Sequence, residues 1–254
     1  MPDPRLYRAE TLEAGATVAL DEAAMRRLTL VLRLKPGASV RVFNARDGEW
    51  RARLMEHGKR GATLAVETHL RAPRLGPDLE LCFAPVKRDA TDLIVEKATE
   101  LGVRRLTPTI TARTIAETVR LDRLAAIAQS AAEQTERFDL PEIAAPTPLA
   151  RALDNWDPAR RLIYADEQGD EGEAAPWGGD AGRAAPIASV VSTLSTEKLA
   201  LLIGPEGGFT PEERRLLRAA SFVTPVSLGP RILRAETACI AALAVLQAAW
   251  GDWR

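Results

Sequence analysis

The residues best suited to chemistry sit close together near the C-terminus. Arg231, Arg234 and Glu236 follow the turn Leu228-Gly229-Pro230 and precede an apolar helical pattern. A guanidinium here can face a substrate that develops negative charge, and a nearby carboxylate can orient it or accept a proton. An arginine at a helix start is a poor match to the helix dipole, which weakens a purely structural reading. Pairing of Arg234 with Glu236 is the structural alternative. Upstream stands Ile203-Gly204-Pro205-Glu206-Gly207-Gly208-Phe209-Thr210. Its glycines permit positive φ and let a ligand approach the backbone closely. A Lys-Ser/Thr pair and a GxGxxG pattern are both missing, and Glu206 would repel a phosphate. The stretch therefore suits a ligand that is neutral or cationic near Glu206, although a plain turn has the same composition.

Both stretches need elements to hold them. Each follows a short apolar run and leads into a helical pattern, so each reads as a strand-to-helix loop. Thr210-Pro211-Glu212-Glu213 predicts a helix start, with Thr as N-cap, Pro next and Glu closing a capping box. From residue 79 onward strands alternate with helices: strands at 79–84, 106–110, 162–166, 199–203 and 223–228, and helices at 91–101, 121–137, 211–220 and 235–250. Gly102 supplies a left-handed cap after the first of these helices. Such alternation predicts a parallel sheet covered on both faces, with ligands at the C-terminal ends of its strands. Residues 169–196, rich in Gly, Ala, Asp, Glu and Ser around Trp177, interrupt the rhythm and read as a surface insertion or a lid.

The first 72 residues read differently. Runs at 17–20, 40–43, 50–54 and 62–66 are separated by Lys35-Pro36-Gly37 and Arg46-Asp47-Gly48, and the last three alternate as half-buried antiparallel strands do. Residues 21–28 suggest a short helix capped by Asp21. The expectation is a small β-barrel-like module at 1–72, a linker at 73–78 and an α/β domain at 79–254. The module carries 13 Lys+Arg against 9 Asp+Glu in a chain of net charge −1. A basic module beside a mildly acidic domain is compatible with RNA contact through the module, and equally with an ordinary solvated surface. With 46% hydrophobic and 27% charged residues the 254-residue chain has a globular composition. No run is long enough to span a bilayer, and the N-terminus lacks the apolar core of a secretory signal. Cys82 and Cys239 lie in apolar runs, which predicts buried thiols and a cytoplasmic location. His57 and His69 show no partner spacing for a metal or a triad.

Ile203–Phe209 and Leu228–Ala238 resemble the two C-terminal motifs of the RsmE family, bacterial enzymes that methylate N3 of a uridine in 16S ribosomal RNA. Three more blocks are similar to that family: Val31–Gly37, after the start Arg5-Leu6-Tyr7; Glu96–Val103; and Ala132–Arg137 with Pro141-Glu142-Ile143. The resemblance implies a PUA-like RNA-binding barrel followed by a SPOUT domain, whose C-terminal trefoil knot binds S-adenosylmethionine in a homodimer acting on 16S rRNA or the small ribosomal subunit. It also implies that Ile203, Gly204, Pro205, Gly207, Gly208, Leu228, Gly229, Ile232 and Leu233 hold the cofactor. No metal is implied. Arg27, Ala90, Asp139 and Ala235 depart from the residues that family members often carry.

Uracil N3 is an imide N–H without a free lone pair, so it must lose its proton before or during attack. Arg234 is the candidate to stabilise the resulting anion, and Glu236 to orient Arg234 or take the proton. The target base must be unpaired or extruded. Arg5, Arg33, Lys87, Arg88, Arg113 and Arg137 are candidate RNA contacts. The competing readings are a SPOUT methyltransferase with another RNA target, a non-catalytic RNA-binding assembly factor, and an unrelated nucleotide-binding α/β enzyme. The missing phosphate motifs count against the last.

Overall fold

The computed structural model describes residues 3–55, 61–115, 118–166 and 184–254. It comprises two compact units, one formed by the chain up to Leu75 with Gln129–Leu140, the other by Gly76–Ala128 with Pro141–Arg254.

In the first unit, alternation places one face of each strand inward. Strands β1 (Arg5–Tyr7), β2 (Thr17–Ala19), β3 (Ser39–Asn44), β4 (Gly48–Leu54) and β5 (Thr63–Arg71) form one sheet in the order β1-β3-β4-β5-β2. Val40, Val42, Ala52, Leu54, Leu64 and Val66 make its core. The β3–β4 turn depends on glycine: Gly48 has φ +79°, and a Cβ there would lie 2.2 Å from the Arg71 carbonyl oxygen. Helix α1 (Glu22–Arg26) starts at Asp21, whose carboxylate accepts from the Ala24 amide at 2.7 Å. It continues into a π-helical turn, Arg27–Val31, instead of ending at Leu28.

Strand β1 pairs parallel to β3, a non-local pairing that three residues cannot announce. Here two expectations are corrected. Arg5 is buried: Nε donates to Glu49 at 2.6 Å, and Nη1 and Nη2 donate to the carbonyls of Ala132 and Arg137, each at 3.0 Å. With its donors committed, Arg5 is an internal strut and not a surface contact for RNA. Arg137 is largely buried and pairs with Asp139 at 2.8 Å, so it too is turned inward. Arg27 forms an ion pair with buried Glu133, which also accepts from the Tyr7 amide.

The second unit is a parallel α/β layer structure. Its strands are β6 (Asp78–Phe83), β7 (Arg105–Ile110), β8 (Glu142–Ile143), β9 (Thr147–Pro148), β10 (Arg161–Ala165), β11 (Lys198–Ile203) and β12 (Val223–Val226). They run in the order β12-β10-β11-β6-β7-β8, with β9 also beside β7, and every pair is parallel. Helices α2 (Arg88–Glu100), α3 (Leu121–Gln134), α5 (Ile187–Val191) and α7 (Ala235–Ala249) bury one face of the sheet under Leu79, Leu81, Phe83, Leu199, Leu201 and Ile203. Helices α4 (Leu149–Asp154) and α6 (Pro211–Ala219) cover the other, packing with Cys82, Leu162, Tyr164, Ala200 and Leu202. Because both faces are covered, the central strands read as continuous apolar runs. Each fully buried leucine contributes on the order of 2 kcal/mol.

Both cysteines are free and buried. Part of the interruption expected at 169–196, Trp177 included, lies outside the described residues, but its C-terminal part is ordered into α5. Ile187 and Val191 join the core there. That part is structural and not an insertion. No described helix is long and apolar enough to cross a membrane.

Candidate functional site

Three neighbouring strands, β12, β10 and β11, end side by side, and their C-terminal loops enclose one cleft. From β11 the chain turns through Gly204–Gly208, where the Gly208 amide donates to the Pro205 carbonyl at 2.9 Å and Gly208 takes φ +65°. Thr210 then caps α6. Its hydroxyl accepts from the Glu213 amide at 3.2 Å, while Glu213 accepts from the Thr210 amide at 2.9 Å and from the Ala112 amide at 2.7 Å. The capping box read from the sequence is present, and it ties the loop after β7 to the start of α6.

Gly204 is required by proximity. A Cβ at this position would meet the buried Phe209 ring at 2.6 Å, and that ring is itself packed edge-on against Tyr164. Gly204→Ala is expected to cost about 1–3 kcal/mol as the ring is forced away. Urea denaturation checks this, and an unchanged midpoint would mean that Phe209 moves freely.

The cleft holds about 750 Å3 of empty space, its open mouth included. Ile203, Gly204, Pro205, Leu228, Gly229, Ile232 and Leu233 line it together. Gly207 and Gly208 do not. The Gly207 carbonyl accepts from Arg113 Nη1 at 2.6 Å, and Gly208 makes the turn. Arg113 is thereby a brace for this loop, with its remaining guanidinium exposed. Glu206, read from the sequence as lying near the ligand, is in the wall, and so are Asp166, Val226, Ser227 and Ala235, which the sequence did not assign to the cofactor. Asp166 had a signal: a carboxylate at a strand end, with Arg214 and Arg218 one turn apart on a later helix. Buried Asp166 accepts from Arg214 Nε and Nη2 at 3.1 Å each and from Arg218 Nη2 at 2.7 Å, joining the end of β10 to α6.

A second depression of about 960 Å3, again counting open space, adjoins the cleft through shared Glu206. Lys87, Asp89, Ala90 and Leu93 line one side, and Arg234 and Glu236 the other. Among the described residues no ion pair joins Arg234 to Glu236, so the structural alternative for this arginine is not what the fold adopts. Lys87 and Arg88 are exposed at the start of α2, and Arg33 is exposed with φ +53° in the first unit. His69 is exposed and packs edge-on against Trp50 at 4.9 Å, while His57 lies outside the described residues.

The arrangement is a glycine-walled cleft of mixed polar and apolar lining, opening past Glu206 onto a depression with two cations and three carboxylates. It can hold an elongated ligand in the cleft and present one end of it to a group that becomes anionic. Comparison with known proteins agrees with this reading. Residues 74–247 match a family model described as an RNA methyltransferase domain, and residues 28–67 match one described as an RNA methyltransferase PUA domain. Ribosomal RNA small subunit methyltransferase E of Rickettsia conorii is 33% identical over 245 residues, covering 94% of this chain and 93% of the relative. The protein of the same name from a Synechocystis species is 33% identical over 96% of this chain and 77% of its own. A methyltransferase from Legionella pneumophila, solved with S-adenosylmethionine, superposes with a TM-score of 0.84 at 29% identity, covering 99% of this chain and all of that one. The small subunit methyltransferase E of Neisseria gonorrhoeae, bound to the same cofactor, gives 0.81 at 30% identity with coverage of 99% and 100%.

Proposed function

The chain belongs to the RNA methyltransferase family, with the PUA module that accompanies it, and we propose from this and the site that it methylates N3 of one uridine in 16S ribosomal RNA. It is an S-adenosylmethionine-dependent ribosomal RNA methyltransferase of the small subunit. The observation that supports a two-part site is the sharing of Glu206 between the cleft and the depression containing Arg234. A cofactor held in one is thereby contiguous with a base held in the other.

The residues present fit S-adenosylmethionine. The glycine loop allows close backbone contact, Val226, Leu228 and Leu233 offer apolar surface to an adenine, and Glu206 suits a cationic sulfonium at the junction. When bound, that cofactor supplies an electrophilic methyl carbon. The chain's own task is alignment, which turns a bimolecular encounter into a near-unimolecular one. Arg234 faces the uracil anion, whose charge is spread over O2 and O4, and Glu236 takes or relays the N3 proton. Arg33 and Arg88 are exposed cations available to phosphates, as is the free part of the Arg113 guanidinium.

The same reading includes a cytoplasmic homodimer, a C-terminal segment threaded as a trefoil knot, and RNA recognition through the N-terminal module. The test is mass spectrometry of small-subunit RNA from a strain lacking the gene. One N3-methyluridine should disappear and return on complementation; its persistence in the deletion strain sinks the assignment.

A further inference from the structure

The depression beside the cofactor cleft holds a residue whose presence its local structure does not favour. Helix starts in this protein differ in their caps: α4 and α5 follow Pro148 and Pro186, which have no side chain able to cap. Asp21 and Thr210 cap α1 and α6 with side-chain hydrogen bonds, as the backbone amides of a helix start require. Helices α2 and α7 do the opposite. Their N-cap residues are Lys87, with φ −56° and ψ 147°, and Arg234, with φ −63° and ψ 154°, and neither makes a side-chain capping bond. A cation there forgoes the cap and opposes the helix dipole. Local rules of this kind are broken where function demands it. Both offending cations line the same depression, which also contains Glu206 of the cofactor loop.

The chemistry of the acceptor calls for two cations. Uracil N3 lies between two carbonyls, and loss of its proton spreads charge over oxygens on opposite sides of the ring. One guanidinium approaching from one side leaves the other oxygen unattended. We propose that Lys87 is a catalytic residue, donating to one uracil carbonyl oxygen while Arg234 serves the other. This rests on the N3 reading above. The step balances: the N3–H proton passes to a carboxylate or to solvent, and the nitrogen pair forms the N–C bond. The C–S bond breaks as the N–C bond forms, its electron pair going to sulfur, which becomes a neutral thioether. The charged groups facing Lys87 across the depression are Asp89 from α2, Glu206 from the cofactor loop, and Arg234 and Glu236 from the start of α7. Among the described residues no ion pair engages the Lys87 ammonium, so it is free to meet a substrate oxygen.

The experiment compares the full-length protein with Lys87→Met, Lys87→Ser and Lys87→Arg, using small-subunit RNA as substrate. Cofactor affinity should be unchanged in all three, and KM for RNA should shift little. For the Met and Ser variants kcat should fall by ~10²-fold, as when one oxyanion donor is removed. Their rate–pH profiles should move to higher pH by about one unit or more, because the N3 proton is now harder to remove. Lys87→Arg should recover part of the rate. Lys87→Ser should be at least as stable to heat as the parent, since serine restores a cap. That result also shows that the loss is not a folding defect.

A raised KM and a shallower salt dependence, with kcat and the pH profile unmoved, would make Lys87 a phosphate contact and overturn the proposal. A parent enzyme that leaves N3 unmethylated would instead overturn the reading of the reaction, so the two failures are distinguishable.

Discussion

Arg234→Ala is expected to lower kcat for methyl transfer by ~10²–10³-fold while cofactor affinity and thermal stability stay close to those of the parent. The size of the effect comes from timing. The uracil anion exists only as the N3 proton leaves, so a guanidinium facing its oxygen strengthens the transition state more than the ground state. Stability should be spared because Arg234 is exposed and makes no side-chain cap, and its charge opposes the dipole of α7. Arg234→Lys should retain intermediate activity, since charge survives but the planar fork does not. Calorimetry with S-adenosylmethionine and single-turnover kinetics on RNA separate the terms. Near-normal turnover in the alanine variant would remove Arg234 from the chemistry.

Asp166→Ala should damage folding and the cleft together. Asp166 and Arg214 are both buried, and Arg218 adds a second guanidinium to the same carboxylate. Removing the carboxylate strips the shared counter-charge from both arginines, one of them buried, a change that typically costs 3–5 kcal/mol. Restoring the hydrogen-bond acceptor without its charge, in Asp166→Asn, should cost roughly half as much, because one oxygen can still accept while the Coulomb term is gone. Because Asp166 also lines the cleft and anchors α6, cofactor affinity should fall in both variants. Urea denaturation and cofactor titration measure the two effects. An alanine variant as stable as the parent would mean that the arginines find other partners.

Legibility in the sequence followed how local each cause is. The capping box of α6 was readable because Thr210, Pro211 and Glu213 are neighbours whose side chains act on nearby amides. The central strands were readable because burial on two faces leaves an uninterrupted apolar run, as in Leu199–Ile203. The two-residue strands β8 and β9 were not, since so short a segment owes its form to the neighbour it pairs with. Arg5 and Arg137 misled for the same reason. An arginine is ordinarily exposed, and nothing nearby in sequence announces that Glu49 and two distant carbonyls will meet Arg5.

For the site, the chain order alone was enough to place glycine-rich loops after strands and to mark Arg234 and Glu236 as charges that either pair with each other or face a substrate. Seven of the nine residues assigned to the cofactor face the cleft, because a loop that leaves a parallel strand has little choice of direction. Convergence belongs to the tertiary structure. Sheet order sets the ends of β10, β11 and β12 together, bringing Asp166 to the wall of the cleft. Packing of α2 and α7 on one face of that sheet brings Lys87 and Arg234 to one depression with Glu206 between. Propensity, capping and hydrophobic period act over a few residues and are written in the chain. Which distant charges share a cavity is decided by the burial of the sheet's two faces, a property of the whole core.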